Sequence, residues 1–396
     1  MTELLNSRFV SARSQSFTQS IIREMTRQNA IYGGINLAQG YPDFDPPEEI
    51  KEAAVKAVRD GFNQYAITWG APELRQAIAE KAGWYNGIAA DPNEHVTVTC
   101  GATEAMMSAM MAVVNPGDEV IIFEPYYENY GPDTIVSGAK PVFVPLRAPE
   151  FTFDREELRA AFSRNTKAIV INTPHNPTGK VFTREELEFI AGLCREFDAL
   201  AITDEIYEHI LFDGHTHVSI ASLPGMAERT VTISGLSKTY SVTGWRVGWV
   251  IAPPEISECV RRVHDFLTVG APHPLQIAAA AALRIDHGYY DELAALYQRK
   301  RDLLLPLLRE LGFQVFQPGG AYYLWTDITG LTELAGWEYA EYLVREIGVA
   351  TVPGNGFYFH RELGAGNVRF TFSKKEETLK AAAMRLEKLR MDRSVI

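Results

Sequence analysis

Lys238 lies in the run GLSKTYSVTGWRVG (235–248), with Arg246 eight residues further on. A lysine among small residues can present its amine to a carbonyl carbon and form a Schiff base. A nearby guanidinium can hold a phosphate. A small ring bearing both an aldehyde and a phosphate, as in pyridoxal 5'-phosphate (PLP), would engage both groups. Taken alone, an exposed lysine ahead of a buried strand is the simpler account of Lys238. Other polar groups shift the balance. Cys100-Gly101-Ala102-Thr103-Glu104 follows a β-branched run and precedes a helical one. Its backbone N–H groups would face an anion at a helix N-terminus, although an ordinary tight turn would look the same. Residues 172–179 read NTPHNPTG. Two X-Pro bonds, either or both able to be cis, make a stiff loop that can fix Asn176 as a donor or simply turn the chain. Asp204, four residues after Leu200, ends another apolar run. A buried carboxylate there needs a cation or several donors, and a protonated pyridine nitrogen would serve. Tyr207 would reach the same ligand; a helix-capping Asp is the alternative. Gly40 sits in a loop where backbone can approach a ligand. Arg369, between Val368 and Phe370, is costly to bury unless paired, and a carboxylate would pair with it bidentately.

These groups need a frame. Candidate strands are 95–99, 119–123, 168–172, 200–203, 230–234 and 247–251, mostly apolar throughout, as for strands covered on both faces. Asp154 with Glu157, and Thr183 with Glu186, have capping-box spacing before helical periodicity. The alternation over about 50–285 implies an α/β fold with a mostly parallel central sheet flanked by helices. Ligands of such sheets bind at the C-terminal strand ends, where an anion turn, an amide, a carboxylate and an amine all fall. Beyond Gly288 the texture changes. Residues 289–312 read as an amphipathic helix with Tyr289, Leu293, Leu296, Tyr297 and Leu304 on one face. Strands near 313–316, 321–326 and 367–373 and a helix from about 375 follow. The expected division is a large domain at 46–288 and a smaller α+β domain made of 1–45 with 289–396.

The chain has 396 residues, 46% hydrophobic and 22% charged, an ordinary globular balance. Its net charge of −12 argues against nucleic acid or an anionic membrane as partner. An anionic cofactor must then be held by local donors. Cys100, Cys194 and Cys259 show no paired spacing, and no Cys/His cluster of zinc type occurs, so no metal is expected. Residues 1–6 lack a signal-peptide pattern, and the apolar run near 275–283 is far short of a membrane span. A cytoplasmic location is expected.

With these residues in view, the chain resembles the fold-type I, PLP-dependent class I aminotransferases from about residue 30 to its C-terminus. The lysine motif, GATEA at 101–105, NPTG at 176–179, DEIY at 204–207 and VRF at 368–370 follow in the family's order and spacing. FDGH at 212–215, SIASLPGM at 219–226 and GYPDF at 40–44 are similar to the branch holding kynurenine/glutamine, methionine and archaeal aromatic aminotransferases. The resemblance implies that Lys238 carries PLP as a Schiff base and later shuttles the proton. It implies that Asp204 pairs with the ring nitrogen, that Asn176 and Tyr207 hold the ring's phenolic oxygen, and that Tyr127 stacks on the ring. Gly101, Ala102, Thr103, Ser237 and Arg246 would hold the phosphate, with Tyr65 reaching the site of a partner subunit in a homodimer. Arg369, Asn176 and the Gly40 backbone would bind the substrate carboxylate. Many relatives have serine three residues before the lysine; here that residue is Gly235, and Ser237 or Ser234 would have to supply the hydroxyl. The implied reaction is ping-pong transfer of an amino group from an L-amino acid to a 2-oxo acid. Where the bacterial aspartate branch often has lysine, this chain has Thr103, which points to a neutral or aromatic donor. Tyr41, Tyr65, Trp69, Tyr126 and Tyr322 are candidate pocket aromatics. Two alternatives are a C–S β-lyase on the same scaffold and the effector domain of a PLP-binding transcription regulator. For the latter, the roughly 30 residues before the match are too few for a helix-turn-helix.

Overall fold

Apolar runs rich in Val and Ile form the centre of the molecule. The computed structural model describes residues 9–390, so the expectation for residues 1–6 lies outside them. In chain order the strands are β1 (Ile35–Asn36), β2 (Val96–Thr99), β3 (Glu119–Glu124), β4 (Lys140–Pro145), β5 (Thr166–Asn172), β6 (Leu200–Asp204), β7 (Thr230–Gly235) and β8 (Gly248–Ile251). They continue as β9 (Gln314–Phe316), β10 (Tyr323–Asp327), β11 (Val349–Ala350), β12 (Val352–Pro353) and β13 (Asn367–Thr371). The main sheet has the order β2-β8-β7-β6-β5-β3-β4. The pairs from β7 to β4 are parallel, and β8 runs antiparallel to both of its neighbours.

Both faces of this sheet are covered. Ile121 and Phe123 of β3 join one apolar cluster with Ile169 and Ile171, while Val120 and Ile122 join another with Val170 and Ile202. Alternate residues of one strand thus serve opposite cores, which is why the runs read as continuously apolar. The run KPVFVP (140–145), absent from the expected strands, forms β4 at the sheet edge. Its prolines hide it from a strand reading, yet an edge strand tolerates them.

β8 intervenes between β2 and β7, with Gly248 level with Thr99 on one side and Gly235 on the other. This antiparallel return brings Arg246, just before β8, to the end of the sheet where Gly101 and Lys238 lie.

The helix Arg184–Glu196 starts with a full capping box: Glu186 N–H donates to Thr183 Oγ1 and Thr183 N–H donates to Glu186. Before Arg155–Ala161 only half of it forms, because the Glu157 carboxylate is taken by Arg147. A second, antiparallel sheet has the order β12-β13-β10-β9. The helix Gly288–Glu310 buries Leu293, Tyr297 and Leu304 in the core beneath it, with Leu379 and Leu386 of the helix Glu376–Leu386. β1 pairs in parallel with β11, tying the N-terminal segment to the C-terminal one. Among the described residues no helix is long and apolar enough to cross a membrane.

Candidate active site

β7 ends at Gly235, and the short helix Leu236–Thr239 lifts Lys238 out of the sheet. Lys238 Nζ donates to Gly40 O at 3.2 Å. Burial lowers its pKa to about 8, assisted by Arg246 and, more weakly, Arg369 and Lys374, and opposed by Asp204. No side chain fits at position 235, where a Cβ would lie 2.9 Å from Val247 O and 3.0 Å from Gly248 Cα. Of the two serines nearby, Ser234 donates to Glu208 Oε1 at 2.7 Å, while Ser237 faces the same cavity as Lys238.

Asp204 closes β6. Its Oδ2 accepts from Tyr130 Oη at 2.7 Å and its Oδ1 from Ile206 N–H at 3.2 Å. Burial raises its pKa to about 6, and these two donors and Lys238 hold it from rising further. The Tyr207 and Tyr323 hydroxyls meet at 2.9 Å. The peptide bonds before Pro174 and Pro177 are both cis. Asn176 N–H donates to Asn172 Oδ1, and Arg369 Nη1 donates to the Asn176 side chain at 2.6 Å. A guanidinium only donates, so the atom it meets is Oδ1, and Nδ2 is left as a donor. Arg369 is fully buried between the rings of Tyr323 and Phe357, and its Nη2 donates to Ala38 O at 2.8 Å. Its Nε meets no acceptor, and no carboxylate pairs with it among the described residues. A buried cation without a counter-ion favours an anionic ligand.

At the far end, the helix Ala102–Val113 begins after Gly101, whose φ of 82° suits glycine. A Cβ there would sit 2.5 Å from Arg246 Nη2. The first N–H groups of this helix and the Arg246 guanidinium therefore converge on one place, as an anion requires.

These groups line one cavity of about 180 Å³. Gly40, Ala102, Thr103, Tyr127, Asn176, Asp204, Tyr207, Ser237, Lys238, Arg246 and Arg369 all border it. Gly101 lies behind Arg246 rather than in the wall, and Tyr65 is 82% exposed, away from it. The aromatic wall differs from expectation: it is Tyr127, Tyr130, Tyr207 and Tyr323. Tyr322 turns to donate to Gly40 O, since successive residues entering a strand point opposite ways. Tyr126 packs on Phe143, Tyr41 lies under Lys374 Nζ, and Trp69 is partly exposed beneath Arg261. Tyr130 and Asp133 escaped the sequence reading. Tyr130 stands three residues after Tyr127, at the start of the helix Tyr130–Val136, and that closeness in sequence was the available signal.

A buried network braces the turn after Asp204. Glu205 accepts from Ser219, Thr203, Asn86 and His217, and Glu208 accepts from Lys81, Ser234 and Asn86. Glu205, Glu208 and His217 are close enough to share a metal ion, but every carboxylate oxygen already has a protein donor.

PLP fits this arrangement. Its phosphate matches the anion turn, its ring nitrogen the buried carboxyl of Asp204, and its aldehyde the Lys238 amine. The family "aminotransferase class I and II" matches residues 32–386. The chain is similar to human kynurenine–oxoglutarate transaminase 1, with 38% identity over 391 residues, covering 90% of this chain and 93% of the relative. It is also similar to an aspartate aminotransferase of Pyrococcus abyssi, with 41% identity over 360 residues, 90% of this chain and 91% of the relative. Among solved structures, a methionine aminotransferase from Escherichia coli superposes with a TM-score of 0.92 at 36% identity, covering 96% of this chain and 99% of that one. The chain belongs to the class I and II aminotransferases: it is a fold-type I, PLP-dependent transaminase.

Proposed function

We propose that this transaminase takes a neutral or aromatic L-amino acid as donor. The observation that carries this reading is the composition of the cavity wall. Lys238, Arg246 and Arg369 are the cations within it, each next to a group with its own task, and Thr103 stands at the helix start. The remaining cation, Arg23, is exposed, and the acids Glu128 and Asp133 line the same wall. A distal carboxylate would meet Glu128, whereas an apolar or aromatic side chain would meet tyrosine rings. The relatives named above act on kynurenine, aspartate and methionine, so the donor must be found by experiment. A panel of L-amino acids against 2-oxoglutarate, pyruvate and phenylpyruvate tests it; aspartate turning over faster than every neutral donor would overturn it.

Each residue then has a task. Arg369, Asn176 Nδ2 and the Gly40 backbone hold the substrate carboxylate, which sets the Cα–H bond toward Lys238. When bound, PLP supplies an electron sink that stabilises negative charge at the substrate Cα. Lys238 Nζ, its pKa lowered by burial, would take the proton from the substrate Cα and then serve as the acid that gives it back. Asp204, held by Tyr130, would keep a proton on the ring nitrogen. Tyr207 and Asn176 would steady the ring oxygen, and Tyr127 would cover a ring face. Ala102, Thr103, Ser237 and Arg246 fix the phosphate, so that the cofactor stays through both half-reactions.

The same reading includes a cytoplasmic homodimer, with Tyr65 reaching the partner's phosphate site, and a large domain at 46–288 against a smaller one of 1–45 with 289–396. The β1–β11 pairing supports the grouping of N- and C-terminal segments. Three free cysteines agree with a reducing compartment.

A further inference from the structure

Asp133 lies one turn past Tyr130 on the helix Tyr130–Val136, in the wall of the cavity that holds Lys238 and Arg369. It is only 4% exposed, yet its Oδ2 meets no protein donor. The other acids of the wall are provided for: Asp204 by Tyr130 and Ile206, and Glu128 by Ser20 at 2.5 Å. Asp133 occupies the first turn of its helix, but no N–H of that turn bonds its carboxyl. Burial alone pushes its pKa up to about 8, with no neighbouring cation to offset it. A carboxyl buried without a partner is an unfavourable arrangement that a ligand can relieve.

Its position indicates which ligand atom arrives. Ser20, Arg23, Glu128, Asn129 and Asp133 border both the active-site cavity and the one adjoining it. They mark the seam between the two, outside the groups that hold the substrate amine and carboxylate. For a donor anchored at Lys238 and Arg369, this seam is the part of the cavity that the anchoring groups leave free for a side chain.

We propose that Asp133 reads the end of the donor side chain, favouring those that bring an N–H or O–H group over apolar ones of the same length. This rests on the neutral-or-aromatic reading and divides that class in two: glutamine and tyrosine belong to the favoured half, methionine and phenylalanine to the other. The Asp133 carbonyl oxygen accepts from the incoming group whether or not the carboxyl carries its proton. A site built to receive a polar hydrogen discriminates strongly against an analogue lacking it.

The test uses holoenzyme and two matched pairs, glutamine against methionine and tyrosine against phenylalanine. The expected result is that Asp133→Ala lowers the kcat/KM ratio of each pair by about tenfold or more. Asp133→Asn, which keeps an acceptor oxygen, should restore most of the ratio. Removing an unpartnered carboxyl should leave the thermal midpoint of the cofactor-free protein equal or higher. Ratios unmoved in Asp133→Ala, or all four donors falling together, would overturn the role of Asp133 while leaving the donor class intact. Turnover of aspartate with none of the four would overturn the donor reading and this inference together.

Discussion

Lys238 is buried, with Arg246 as its strongest charged influence, and burial above all lowers the pKa of its amine to about 8. At pH 7 roughly one such amine in ten is unprotonated, against about one in a thousand for an ordinary lysine. The sign is that of a base freed as pH rises. In cofactor-free protein, labelling of Lys238 by an amine-selective reagent should climb through pH 7 to 8 and level off above, as read by peptide mass. Arg246→Ala removes the second cause of the shift and should move that midpoint upward. Lys238→Ala should abolish both transamination and the absorbance of covalently attached cofactor; survival of either would remove Lys238 from its role. Asp204→Ala should cut kcat about a hundredfold or more while changing the inhibition constant of a simple carboxylate little, because Arg369 is held by Asn176 and Ala38 and not by Asp204. Equal turnover in that variant would refute the assignment.

Two elements set the precision of these groups. One is the turn into the helix Ala102–Val113. Gly101→Ala would combine a φ of 82° with a Cβ 2.5 Å from the Arg246 guanidinium. Cofactor affinity, followed by dialysis and absorbance, should fall about tenfold or more, with much less effect on the stability of the cofactor-free fold. The other is the braced turn after β6. Burial alone would raise the Glu208 pKa, but Lys81, His209 and His217 outweigh it and hold it below the ordinary carboxylate range. Lys81→Met would leave that buried charge without its ion-pair partner. A loss of about 3–5 kcal/mol in urea unfolding is expected, of the size seen when buried pairs are broken. An unchanged midpoint would show that Asn86 and Ser234 suffice for Glu208.

For the whole molecule, the segment carrying Tyr65, Ile67 and Trp69 lies along the end of the helix Pro254–Thr268, joined by a hydrogen bond from Thr68 to Asp265. Phe266 there is 93% exposed, with Leu267 and Val269 also open. Such a strip suits burial against a second copy of the chain. Phe266→Asp should shift the mass in sedimentation from dimer toward monomer and lower cofactor retention with it; a fully active monomer would contradict a shared site. Much of this protein is legible in its sequence. The strand and helix order follows from apolar runs and capping residues, because local periodicity reports which faces are buried. Lys238, Asp204, Asn176, Arg246 and Arg369 could be named because each alone has an ordinary explanation but their joint occurrence does not, and the family resemblance supplied their roles. Strand order and register were not legible, since hydrophobic periodicity does not say which run lies beside which. Only the tertiary structure placed β8 between β2 and β7, joined Arg369 to Ala38 across 331 residues of sequence, and chose Tyr323 over Tyr322 for the wall. It also left Asp133 facing the site without a partner, because a side chain's partners are fixed by what the fold brings near it.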